Sequence, residues 1–172
     1  MKGILVVIDM QNDFISGALG SKSAQAIVEN ARNKIKAHNG MVVFTRDTHT
    51  DDYMNTQEGR SLPVKHCISG TKGWEIAPEL QEVMQKDALI VDKPAFGSFE
   101  LVDVLKKHIK PETEIELIGI ATDICVISNA LILKAAFPEN KIIVDSSCCA
   151  GITEEGHNAA LSVMLTCQIE VV

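Results

Sequence analysis

The run Gly3-Ile4-Leu5-Val6-Val7-Ile8, closing on Asp9, constrains the fold of this chain more than any other stretch. A strand with one face in water alternates polar and apolar residues, and this run does not, so it predicts a strand covered on both faces. Similar runs rich in Val and Ile occur at 41–46, 88–92, 114–120, 141–144 and 169–172. Segments of helical period fall between them, at about 22–38, 77–85, 98–109, 124–136 and 153–166. In the first, Ile27, Ala31 and Ile35 form an apolar stripe opposite Asn30, Arg32 and Lys36, and Gly40 follows the helix as a stop. Thr153-Glu154-Glu155 is a capped acidic start for the last. Strands alternating with helices predict an α/β fold, a parallel sheet with helices on both faces.

The exception is 47–74, where periodicity is weak and Asp, His, Tyr, Glu and Cys accumulate; a connection this long is usually functional or disordered. With 172 residues, no repeat and no linker, one domain spanning 1–172 is expected. A net charge of -7 argues against nucleic acid, which requires clustered Lys and Arg. No apolar run reaches the roughly 18 residues of a membrane span, and the apolar start lacks a cleavage site. Five cysteines, an odd number without a CxxC pair, fit reduced thiols in a cytoplasmic protein.

Open parallel sheets bind ligands beyond the carboxyl ends of their strands. Asp9, Asp47, Lys93 and Cys125 each follow an apolar run and are therefore aimed at that rim. Cys125 falls where a strand turns into a helix, whose free N–H groups and positive dipole end lower a thiol pKa from about 8.5. The same N–H groups suit an oxyanion, Lys93 adds positive charge, and Asp9 is placed to take the thiol proton and pass it to a leaving amine. A free cysteine is also a common small core residue, a reading that fits Cys148, Cys149 and Cys167 better than Cys125. In the long loop, Asp47-x-His49 presents two ligand atoms at close spacing, and Glu58 and His66 complete a set suited to Zn, Fe or Mn. Cys67 is a rival ligand beside His66, and a solvated polar loop is the alternative.

The segments VVIDMQNDF (6–14), FTRDTHTDDY (44–53), LPVKHCISGTKGWEI (62–76), DKPAFGSF (92–99) and IGIATDICV (118–126) occur in an order that resembles the isochorismatase-like cysteine hydrolases, in particular their nicotinamidase-type amidases. The resemblance runs nearly end to end. It implies a three-layer α/β/α fold with a six-stranded parallel sheet, and a triad on Asp9, Lys93 and Cys125 that cleaves a small carboxamide such as nicotinamide through a thioester, releasing ammonia. It also implies a non-proline cis peptide at Ile120–Ala121 and an oxyanion hole from the N–H groups of Ala121 and Cys125. A divalent metal, zinc before iron or manganese, falls on Asp47, His49, Glu58 and His66. Phe14 and Phe99 become apolar walls for a flat ring, while Leu62 and Ile124 stand where the family often has an aromatic residue and a tyrosine. Relatives commonly assemble as dimers or tetramers, so a homo-oligomer is expected. Within the family, isochorismatase and the carbamoyl or ureido amidases are the rivals; the first has no use for Cys125, and the second calls for an arginine near the loop beyond Arg46 and Arg60. A catalytically silent binding protein on the same fold is the remaining alternative.

Overall fold

The first strand, β1 (Ile4–Ile8), is buried at every residue, as its unbroken apolar run demands. Three helices, α1 (Asn12–Ile15), α2 (Lys22–Ala26) and α3 (Val28–Ala37), lead into β2 (Met41–Asp47). The long connection after β2 winds through a 3₁₀ turn at Tyr53–Asn55, the short α4 (Gln57–Ser61), a second 3₁₀ turn at Lys72–Trp74 and α5 (Pro78–Gln81). Strands and helices then alternate as β3 (Leu89–Lys93), α6 (Phe99–Lys106), β4 (Ile115–Ile120), α7 (Ile127–Ala136), β5 (Ile142–Ala150), α8 (Glu154–Thr166) and β6 (Glu170–Val171). The computed structural model describes residues 3–172.

The six strands pair in the order β3-β2-β1-β4-β5-β6, every pairing parallel. Side chains of β1 alternate between two cores. Ile4, Val6 and Ile8 pack with Leu101, Leu105, Leu133 and Met164 from α6, α7 and α8. Leu5 and Val7 pack with Ala31, Ile35 and Leu80 from α3 and α5 on the other face. Each fully buried Leu or Ile contributes about 1.5–3 kcal/mol, so two covered faces hold the sheet without exposed alternation. The three-layer α/β/α architecture with a six-stranded parallel sheet is the one expected.

Topology positions the site. The chain builds outward from β1 to β2 and β3, then returns to add β4 on the other side of β1. At such a reversal the connections leaving adjacent strands diverge and open a crevice at their carboxyl ends. Asp9 leaves β1 at this point, and the turn bearing Cys125 leaves β4 beside it. Asp47 and Lys93 are register partners at the ends of β2 and β3. Close approach of β4 to β1 is possible because Gly119, at φ +126, has no side chain to meet the Ile8 carbonyl.

Several boundaries differ from those expected. The helix over 22–38 is interrupted at Ile27, where α2 ends and α3 begins, although Ala24, Ala31 and Ile35 all still face the core. The helix over 77–85 is reduced to α5, and that over 98–109 ends at Lys106. The fifth strand extends well past 144, to Ala150. Through Asp145-Ser146-Ser147 the register against β4 is irregular, and the N–H of Ser146 donates to the Val172 carbonyl. Before α7 the chain makes a wide π-type turn, Thr122–Val126, instead of starting an ordinary helix at 124.

Candidate active site

Asp9 is completely buried and takes the left-handed conformation, φ +47, which Asp tolerates better than most residues. Its N–H donates to Thr45 Oγ1 at 3.2 Å, and the same hydroxyl donates to Asp9 Oδ1 at 2.6 Å. The second carboxylate oxygen, Oδ2, lies 2.6 Å from Lys93 Nζ. That contact is an ion pair, and Oδ2 accepts no other bond. Lys93 Nζ also donates to the Ala95 carbonyl at 3.1 Å, contacts Asp47 Oδ1 at 3.3 Å and reaches Cys125 Sγ at 3.5 Å. A single buried ammonium thus ties together both carboxylates and the thiol.

Burial raises the Asp9 pKa, aided by the nearby Asp47 charge, although Lys93 opposes the shift. For Lys93 burial disfavours the charge, but Asp9, Cys125 and Asp47 outweigh it and hold the ammonium protonated well above the usual lysine range. The Cys125 thiol is pushed well above its ordinary value, first by burial and then by Asp9, with Lys93 opposing. This reverses the lowered thiol pKa expected from a helix N-terminus, because desolvation of a completely buried sulfur exceeds what the turn and one shared cation return. The shift favours the protonated thiol, which calls for a neighbouring group to take its proton as it attacks.

The loop ligands converge a few ångströms away. One donor atom each from Asp47, His49, Glu58 and His66 lies within 4.8 Å of all the others. His49 Nε2 is 2.8 Å from Asp47 Oδ2 and 3.5 Å from Glu58 Oε1, yet makes no hydrogen bond. Such atoms aim at a common point rather than at one another. His66 Nδ1 lies 2.8 Å from the Val64 carbonyl, a contact that fixes the ring and turns Nε2 inward, 3.6 Å from Asp47 Oδ2 and 3.7 Å from Glu58 Oε1. Tyr53 is buried against both imidazoles, its hydroxyl donating to the Leu62 carbonyl. Two imidazoles and two carboxylates, one imidazole nitrogen orphaned, fit a divalent transition metal. Cys67 does not join the set. Its backbone is left-handed, φ +46, with the N–H donating to Asp13 Oδ2, and burial drives its thiol far above the usual range.

Without a metal, burial disfavours a charge on His49, but the close carboxylates of Asp47 and Glu58 prevail and raise its pKa to about 9. Burial works to raise Asp47, while His49, His66 and Lys93 hold it well below the carboxylate range. Asp47 belongs to both clusters, so the charge of any ion bound there reaches Lys93 directly.

The pocket residues divide. The Phe14 ring lies 5.5 Å from that of His66, and Ile124, next to Cys125, packs against both cores. Leu62 is partly exposed above Tyr53. Phe99, at the start of α6, is 78% exposed and is not drawn into the cluster. The Ile120–Ala121 peptide is cis. The cysteines at 148 and 149 are buried, and 167 is exposed. A surface cleft of about 780 Å³ between α1, α3 and α5 contains none of Asp9, Lys93 or Cys125.

Three buried positioning groups escaped sequence reasoning. Gln11 donates to the carbonyls of Asp47 and Trp74 and accepts from the Asp47 N–H. Thr45 holds Asp9. Asn129 accepts from Ser98 N–H and donates to the carbonyls of Phe96 and Cys125, joining the loop after Lys93 to the turn before α7. Gln11 lies two residues past Asp9 on a rim already marked as functional, which was the available signal; Thr45 and Asn129 sit inside apolar segments and gave none.

A family model, the isochorismatase domain, matches residues 3–172. The chain belongs to the isochorismatase family. Among its relatives is a nicotinamidase/pyrazinamidase of Mycobacterium tuberculosis, 30% identical, with 98% of this chain and 97% of that protein covered. An isochorismatase family protein of Bacillus subtilis is also 30% identical, covering 94% of this chain and 93% of its own. The fold superposes on the crystal structure of a Bacillus subtilis nicotinamidase with TM-score 0.87 at 29% identity, covering 100% and 99% of the two chains. It matches a zinc complex of Pyrococcus horikoshii pyrazinamidase with TM-score 0.83 at 28% identity, again covering 100% and 99%. This isochorismatase-family chain therefore shares its whole length with those proteins.

Proposed function

We propose that the protein is a cysteine-dependent amidase that hydrolyses a small aromatic carboxamide, nicotinamide first, to the carboxylic acid and ammonia. The observation that carries the reading is the contact of Lys93 Nζ with Asp9 Oδ2 at 2.6 Å and Cys125 Sγ at 3.5 Å, beside a four-ligand cluster that shares Asp47. Relatives named nicotinamidase support the substrate class.

In this mechanism Asp9 Oδ2, with its free lone pair and raised proton affinity, takes the Cys125 proton as sulfur bonds to the amide carbon. The carbonyl electrons move to oxygen, held by the N–H groups of Ala121 and Cys125. Collapse breaks the C–N bond, and Asp9 returns the proton to the departing nitrogen, leaving a thioester and ammonia. Asp9 then deprotonates a water that attacks the thioester, and the proton goes back to the thiol. Lys93 remains a cation throughout, balancing Asp9 in one step and the sulfur in the next. A divalent ion held by Asp47, His49, Glu58 and His66 would supply a Lewis-acid anchor for a ring nitrogen; zinc is the first expectation.

The carbamoyl and ureido rivals lose ground, because both arginines near the loop have structural partners. Arg46 pairs with Asp92 at 2.7 Å and stacks on Trp74, and Arg60 donates to the Asn55 carbonyl. Ammonia release from nicotinamide, pyrazinamide, benzamide and a ureido acid tests the assignment. Nicotinamide and pyrazinamide should turn over fastest, and Cys125→Ala should remove turnover while leaving the melting temperature within about 4 °C, a stability change near 1 kcal/mol. Turnover that survives in Cys125→Ala, or a preference for the ureido acid, would overturn the reading.

A further inference from the structure

The turn Thr122–Val126 carries the nucleophile, and it is fastened from outside the site by the junction between β5 and α8. Thr122 is completely buried, and its Oγ1 lies 2.8 Å from Nδ1 of the partly buried His157, in the first turns of α8. Asp123 Oδ1 accepts the Ile152 N–H at 3.0 Å, and its Oδ2 packs so closely on Gly156 that no Cβ would fit there. Within the turn the Ala121 carbonyl accepts from Ile124 and Val126, and the Thr122 carbonyl accepts from Ile127.

We propose that His157 is a positioning residue that, by holding the Thr122 side chain, sets the direction of the Ala121 and Cys125 N–H groups toward a carbonyl oxygen. The Ala121 N–H lies one residue before Thr122 and the Cys125 N–H three residues after it, in the turn closed on the Ala121 carbonyl, so the support on the Thr122 side chain, beside that on Asp123, bears on the tilt of both. The sulfur has separate supports, since Lys93 and the Asn129 bond to the Cys125 carbonyl hold that residue from the other side. Losing His157 therefore misdirects the donors while leaving the thiol in place. The inference rests on Cys125 being the acyl-accepting nucleophile.

Two reactions of Cys125 separate these effects. With p-nitrophenyl acetate, sulfur bonds to the ester carbon, an oxyanion forms, the C–O bond breaks and p-nitrophenolate leaves, while Asp9 takes the thiol proton. With iodoacetamide, sulfur displaces iodide from a saturated carbon while Asp9 takes the thiol proton, and no oxyanion forms. His157→Ala and Thr122→Val should lower the acylation rate about 10- to 100-fold, somewhat less than loss of a whole oxyanion donor, and change alkylation less than about twofold. Thr122→Ser, which keeps the hydroxyl, should acylate at the native rate, and the double variant should be no worse than either single one, since both break one contact.

A parallel fall in acylation and alkylation would reduce His157 to a partner for a buried hydroxyl and overturn the proposal, as would unchanged acylation or a loss in Thr122→Ser equal to that in Thr122→Val. Should His157→Ala fail to fold, Thr122→Val against Thr122→Ser makes the same comparison. An undiminished p-nitrophenolate burst in Cys125→Ala would instead sink the nucleophile assignment, and absence of nicotinamide turnover in the native protein would count against the substrate alone.

Discussion

Replacing Lys93 with Met keeps the stem that fills the end of β3 but removes the one charge shared by Asp9, Asp47 and Cys125. The ammonium is fully buried and contacts both carboxylates, at 2.6 and 3.3 Å. Removing one partner from a buried ion pair costs about 3–5 kcal/mol, because the remaining charge is stranded in a medium that solvates it poorly. In a chain of this length each kcal/mol shifts the midpoint by about 2–4 °C, so Lys93→Met should melt about 6–20 °C lower near pH 8. The deficit should depend on pH. Burial already raises Asp9 above an ordinary carboxyl, and loss of the opposing cation raises it further. Between the unfolded value of about 3.9 and the higher folded one, the folded variant binds a proton that the unfolded chain has released, so stability rises as pH falls, by at most about 1.4 kcal/mol per unit. Urea titrations of metal-free native and variant protein at pH 8, 7, 6 and 5 measure the difference. A deficit below about 1 kcal/mol at pH 8, or one that stays constant down to pH 5, would refute the buried-charge account.

Three further outcomes follow from the same geometry. The protein should bind about one divalent ion per chain, and His49→Ala or His66→Ala should lose it, since each removes one of four converging donors. Because a metal must displace the proton that Asp47 and Glu58 hold on His49 up to about pH 9, apparent affinity in a chelator competition should climb about tenfold per unit from pH 6 to 8; a flat profile would contradict this. Gln11→Leu strands the N–H and carbonyl of Asp47 and the Trp74 carbonyl, and at about 1–3 kcal/mol for each group left buried and unsatisfied it should lower the melting temperature by at least about 6 °C and weaken the metal, read by calorimetry and metal analysis.

Period and order in the sequence were enough for the sheet. An apolar run without alternation can be stable only where both faces are covered, and β1 is covered on both. The same reasoning put Asp9, Asp47 and Lys93 at one rim, because each residue closes a run whose direction the parallel arrangement fixes. Boundaries were less legible where polar residues were retained by tertiary bonds. The strand expected to end at Val144 continues through Asp145-Ser146-Ser147, where the Val172 carbonyl accepts the Ser146 N–H. The four loop ligands were visible as residue types, but their convergence depends on Tyr53 packed against both imidazoles and on Asp13 holding the Cys67 N–H.

The sequence by itself determined the doubly covered parallel sheet and the chemical kinds of group at its carboxyl rim, since both follow from the spacing of apolar residues along one chain. Only the tertiary structure decided which strands became neighbours, how one ammonium came to serve two carboxylates and a thiol, and that burial pushes the thiol pKa upward. Those outcomes depend on distances between residues far apart in the chain and on the exclusion of water from the space they share, and neither quantity is written in local order.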